Sequence, residues 1–108
     1  MKKILIVDDE DKIREVIKEY AEFSGYAAEE AADGMSAIGM VKLNDYDLII
    51  MDIMMPKLDG FSAVKEIQKI KNIPVIMLSA RGEEYDTRTK AGNVLIESRH
   101  ISLKFLTC

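Results

Sequence analysis

Cysteine is all but absent from this chain: Cys108, the last residue, is the only one. A disulfide framework and a thiolate metal site are therefore excluded. Tryptophan is missing, and histidine occurs once, at His100, with no second ligand candidate near it in sequence, so it reads as an ordinary side chain of the tail. Long apolar runs are missing too. The opening MKKILIV stops after four apolar residues at Asp8-Asp9-Glu10, far short of a signal's apolar region or a membrane span. No internal repeat and no low-complexity linker interrupts the chain. Nor is there an excess of positive charge: 15 Lys and Arg against 19 Asp and Glu leave a net charge of -4, which argues against a nucleic-acid-binding surface. What these absences leave is one cytoplasmic domain. Its 108 residues, 48% hydrophobic and 31% charged, suffice for a single modest core.

What is present alternates. Lys3–Val7 (KILIV) is a short continuous apolar run rich in β-branched residues, as in a strand buried on both faces. From Asp11 the period changes: Ile13, Val16, Ile17, Tyr20 and Ala21 share one helical face, and Gly25 is placed to end that helix. Tyr26–Ala32 (YAAEEAA) is a weak strand that the alternation requires. Asp33-Gly34 opens a second helix through Ile38 and Val41 to about Asn44, and Asp47–Met51 (DLIIM) is a second buried strand. Asp59-Gly60 opens a helix carrying Phe61, Val64, Ile67 and Ile70, and Pro74–Leu78 (PVIML) is a third strong strand. Strand and helix in alternation predict right-handed crossovers and a parallel sheet covered on both faces. Ligands of such sheets bind beyond the carboxyl ends of the strands, near the point where strand order reverses.

Those strand ends carry oxygen. Asp8, Asp9 and Glu10 follow the first strand, Asp52 follows LIIM, and Ser79 and Ala80 follow PVIML. A parallel sheet brings these ends to one edge, where clustered carboxylates repel unless a cation joins them. A hard divalent ion, Mg2+ in particular, suits carboxylates, retained waters and phosphate oxygens. An aspartate beside it can act as a nucleophile toward phosphorus. The simpler reading is that the acidic run caps a helix and complements its dipole. Asp59-Gly60 reads as a turn and helix start, Met51, Met54 and Met55 as packing, and Lys12, Arg14 and Lys18 as a solvated helix face.

The segments ILIVDDE, DLIIMDIMMPKLDGF and PVIMLSA, in this order and spacing, resemble the signature segments of response-regulator receiver domains of two-component signalling. The resemblance covers Met1 to about Asp86 and makes residues 1–108 a single receiver domain with an atypical tail over 87–108 and no output domain. It implies a flavodoxin-like α/β fold, a doubly wound parallel sheet with the last strand and helix altered or missing. It further implies that Asp52 takes a phosphoryl group from a sensor histidine kinase. Asp8 and Asp9 would position Mg2+ with Asp52, the Met54 backbone carbonyl would be a further ligand, and Ser79 would contact the phosphoryl group. Such a domain is a signalling element, not an enzyme, that assists its own phosphorylation and dephosphorylation.

Beyond residue 86 the pattern departs from the family. Matching Gly92 to the family's glycine puts Arg99 at the phosphate-binding lysine, His100 at a proline and Ile96 at the switching aromatic. The alternative is that the last two dozen residues are out of frame. The altered tail also leaves open a pseudo-receiver, an interaction module whose acidic pocket is vestigial. A phosphatase of the haloacid-dehalogenase type is disfavoured because Met54 stands where those enzymes place a second aspartate. Flavin binding is disfavoured by the acidic first loop. A lost fifth strand would expose the edge beside Pro74–Leu78; the tail, with Ile101, Leu103 and Phe105 alternating, would either fold back as an irregular fifth strand or, the favoured reading, form a homodimer by exchange of the C-terminal segment.

Overall fold

The structure is a computed structural model; it describes residues 1–78 in full and the backbone of 79, 90–91 and 94–98. Its elements run β1 (Lys3–Val7), α1 (Asp11–Phe23), β2 (Ala27–Ala31), α2 (Gly34–Leu43), β3 (Leu48–Asp52), α3 (Gly60–Ile70), β4 (Val75–Ser79), β5 (Lys90–Ala91) and β6 (Val94–Ser98). The sheet order is β2-β1-β3-β4-β6-β5, with β1 paired in parallel to β2 and β3, β3 to β4, and β4 to β6. Among the described strands only β5 is antiparallel, against β6. From β1 the chain steps outward to β2 and then back across to β3, so the strand order reverses at the β1–β3 junction. In sheets of this kind ligands bind beyond the strands' carboxyl ends at such a junction.

The apolar runs form central strands because both of their faces are buried. Leu5, Val7, Ile49, Met51, Val75 and Met77 pack beneath α2 and α3 together with Ala37, Val41, Ala63, Val64 and Ile67. The alternate residues Ile4, Ile6, Ile50, Ile76 and Leu78 line the opposite face with Ile17 and Ala21 of α1. Alternation along a strand makes both layers unavoidable once the pairing register is set. β2 is different: AAEEA is an edge strand whose glutamates need partners. Glu29 accepts the Tyr46 hydroxyl at 2.6 Å and an ion pair from Lys3 at 3.0 Å, while Glu30 meets Arg14 and Lys18.

The starts of α2 and α3 and the end of α1 follow the expected chemistry. Asp33 and Asp59 are the N-caps of α2 and α3, each accepting the backbone N–H three residues on, at 2.7 and 2.9 Å. Gly25, at φ +93°, makes the left-handed turn after α1 that a side chain would resist. Two helix faces are narrower than the sequence predicts. Ile13, Ile17 and Ala21 meet the sheet, whereas Val16 and Tyr20, one residue or about 100° around the helix, are exposed. In α3 the buried line is Gly60, Ala63, Val64 and Ile67, and Phe61 and Ile70 are exposed.

The edge beside β4 is also not as expected. Val94–Ser98 pairs along it within the same chain, in the register Val75↔Val94 to Ser79↔Ser98. The intervening segment, residues 80–93, meets the dozen or so residues that a parallel return needs. Among the described residues the sheet therefore continues past β4 through β6, with the short antiparallel β5 at its side. Residues 101–105 lie outside the described residues. Among those described, no helix is long and apolar enough to cross a membrane.

Candidate functional site

Asp8 directly follows β1 and Asp52 is the last residue of β3. The β1–β3 register, ending at Val7↔Met51, puts the two aspartates in step on neighbouring strands. By parity they continue the Ile4–Ile6 and Ile50 series, so both leave the sheet toward the α1 face. Both are fully buried, the only charged residues so placed among those described. Each holds its backbone in the same way: Asp8 Oδ1 accepts the Glu10 N–H at 2.9 Å, and Asp52 Oδ1 accepts the Met54 N–H at 3.3 Å. These bonds to the residue two positions on turn the chain sharply out of the strand. Asp8, Asp9 and Glu10 can each bring a carboxylate oxygen to within 4.8 Å of the others, with Asp9 and Glu10 exposed.

The loop after Asp52 is closely held. The Ile53 N–H donates to Leu78 O at 3.1 Å, and the Gly60 N–H donates to Ile53 O at 2.9 Å. A Cβ at Gly60 would lie 2.2 Å from the Asp52 carbonyl oxygen, so only glycine lets α3 begin against this strand end. Between them Lys57 takes φ +69° while the Leu58 N–H donates to Pro56 O at 2.9 Å, a γ-turn of the strained hand. The N-cap bond from Ser62 holds the Asp59 carboxyl below its usual range.

The family model for the response regulator receiver domain matches residues 4–95. This chain belongs to that family. The receiver is 45% identical over 87 residues to the transcriptional regulatory protein CpxR homolog of Haemophilus influenzae, covering 80% of this chain and 37% of that protein. It is 46% identical over 82 residues to the transcriptional regulatory protein ResD of Bacillus subtilis, covering 76% and 34%. The chain thus spans about a third of the length of these relatives. Among solved structures, a Francisella response regulator receiver domain superposes with a TM-score of 0.78 at 33% identity, covering 99% and 94% of the two chains. The response regulator TrrA of Thermotoga maritima, solved with Mg2+ and BeF, gives 0.77 at 32% identity, covering 98% and 99%.

The receiver brings Asp8, Asp9 and Asp52 to one end of the sheet. Ser79 closes β4 at that same edge, while its side chain, Arg99 and His100 lie outside the described residues. Three side chains depart from their expected roles. Glu10 is the N-cap of α1, but its side chain makes no capping bond and joins the acidic group instead. Met51 and Met55 are packed, whereas Met54 is 55% exposed. Arg14 is not on a solvated face. Its side chain is only 11% exposed and reaches the Asp8 carbonyl at 2.5 Å, Glu30 at 3.1 Å, and Asp11. Burial alone lowers its pKa, but the hydrogen bonds and charges of Asp11 and Glu30 outweigh this and keep the guanidinium charged. The sequence signal for it was a cation four residues beyond a strand-end acidic run, which periodicity alone assigns to solvent.

Proposed function

We propose that this receiver takes a phosphoryl group onto Asp52 from the phosphohistidine of a sensor histidine kinase, with Mg2+ held by Asp8, Asp9 and Asp52. The observation that carries the reading is the buried Asp8–Asp52 pair at the reversal point of the sheet, beside the exposed acids of the first loop. The donor set fits the ion: every candidate ligand is a hard oxygen, and two of the carboxylates are fully buried at one end of the sheet. Mg2+, when bound, neutralises charge on the phosphoryl oxygens. An Asp52 carboxylate oxygen forms the new P–O bond as the P–N bond to the kinase histidine breaks, leaving an aspartyl phosphate and a neutral imidazole after protonation. The Met54 amide fixes the rotation of that carboxylate, and the packed strand end keeps bulk water from its back. We assign the Met54 carbonyl as a further ligand, Ser79 as a phosphoryl contact, and Arg99, which follows β6, as the stand-in for lysine. Arg99 would keep the charge without lysine's compact geometry.

The test is labelling by a small phosphodonor such as acetyl phosphate. Wild type should label only with Mg2+ present, and Asp52→Asn should not label at all. Labelling that persists in Asp52→Asn would refute the assignment, and a wild type that never labels would point to a pseudo-receiver.

A further inference from the structure

We propose that Arg14 is a positioning residue for the cation site, holding the Asp8-Asp9-Glu10 turn in its binding conformation through the Asp8 carbonyl. The inference rests on the metal reading above. Arg14 grips the turn twice. Its backbone N–H makes the ordinary first helical bond to Glu10 O at 3.2 Å, as any residue there would, and its guanidinium adds the bond specific to arginine, to Asp8 O at 2.5 Å. The Asp8 N–H meanwhile donates to Ala31 O at 3.2 Å, so the residue is held from both sides. The Asp8 carbonyl belongs to the peptide that leads into Asp9. Fixing that plane sets the direction in which Asp9 leaves the strand.

The guanidinium is itself held by two acids on different elements. Nε donates to Glu30 on β2 at 3.1 Å, and Nη2 donates to Asp11 in the first turn of α1. A planar fork can satisfy three acceptors at once, which a point-charge ammonium cannot do in the same geometry. Charge alone does not account for the arrangement, since a cation beside a cation site opposes metal binding. The two accounts therefore differ in sign. If Arg14 acts only as a charge, its removal tightens Mg2+ binding; if it positions the turn, its removal loosens it.

Titration of the full chain with Mg2+ alone, followed by the amide signals of Asp9 and Glu10, separates them. Arg14→Lys, which keeps the charge, should weaken Mg2+ binding about 10-fold, at the lower end of losses seen when a group supporting a metal ligand is removed. Arg14→Gln, which removes the charge, should also weaken it. Urea unfolding establishes that each variant is folded. Folded variants that bind Mg2+ as tightly as wild type, or tighter, overturn the proposal, even if their stability has fallen. Should neither variant fold, the wild type decides: the Arg14 guanidinium signal should shift with the same midpoint as the Asp9 amide, and an unresponsive signal overturns the proposal. A wild type with no saturable Mg2+ binding removes the metal reading and this inference with it, whereas binding in wild type and unchanged binding in the variants removes this inference alone.

Discussion

Replacing Gly60 by alanine sets a methyl carbon 2.2 Å from the Asp52 carbonyl oxygen and 2.8 Å from both Ile53 Cα and Met77 Cε. The first two are backbone atoms that cannot swing aside, and the closest is about 1 Å inside van der Waals contact. The start of α3 must then retreat, which lengthens the Gly60 N–H bond to Ile53 O, now 2.9 Å. Overpacking of this kind costs about 1–3 kcal/mol, and a lost backbone hydrogen bond about 1 kcal/mol more. Better helix propensity returns up to about 1 kcal/mol. The net expectation is a loss of about 3 kcal/mol, at the upper end because backbone must move. For a domain of this size that lowers Tm by roughly 10–20 °C. Urea and thermal unfolding followed by circular dichroism measure it directly. Gly39, inside α2 with nothing within 4 Å of an added methyl, is the control, and Gly39→Ala should stabilise by about 0.5–1 kcal/mol. A Gly60→Ala protein as stable as wild type, or a Gly39→Ala protein equally damaged, would refute the close-approach argument.

Asp59→Ala should cost about 1 kcal/mol through loss of the α3 cap, measured by the shift in urea midpoint. Because the Ser62 N–H bond depresses the folded pKa of Asp59, its contribution is complete above the unfolded value of about 3.9 and fades as pH falls through the folded value. Asp59→Asn should therefore lose less stability than wild type between pH 5 and pH 2, and an equal loss would contradict the assignment. At the proposed cation site, Asp9→Ala should weaken Mg2+ binding more than Glu10→Ala; equal effects in a metal titration would give Glu10 the same standing as Asp9.

The strands were legible because their burial is written twice. In KILIV and LIIM, residues of both parities are apolar, and both layers they imply are found. Asp8 and Asp52 were legible for the complementary reason, since a carboxylate ending such a run has nowhere to go but the edge. β2 was weak in the sequence because its glutamates are satisfied by Lys3, Arg14 and Tyr46, partners that only the folded chain assembles. The role of Arg14 is hidden in the sequence on the same account: helical period reports which way a side chain points, not whether a carbonyl from the preceding loop folds back to meet it. Helical period turns Val16 and Tyr20 inward because it cannot tell a broad buried face from the single line that meets the sheet. Gly60 looked like a turn residue, and its close contact with Asp52 became visible only once α3 had been placed against β3.

The position of β1 bears on how the chain emerges from the ribosome. The first strand made lies between β2 and β3, so its inner edge stays unpaired until Leu48–Asp52 has been synthesised. At about 5–20 residues per second, that leaves KILIV without its second neighbour for roughly 2–9 s. A short β-branched segment exposed for so long is a template for aggregation unless charges flank it. Lys2 and Lys3 stand at one end of the run, and Asp8, Asp9 and Glu10 at the other. The carboxylates that later gather at the sheet's edge thus have earlier work as gatekeepers, shielding the nascent strand before any pocket exists.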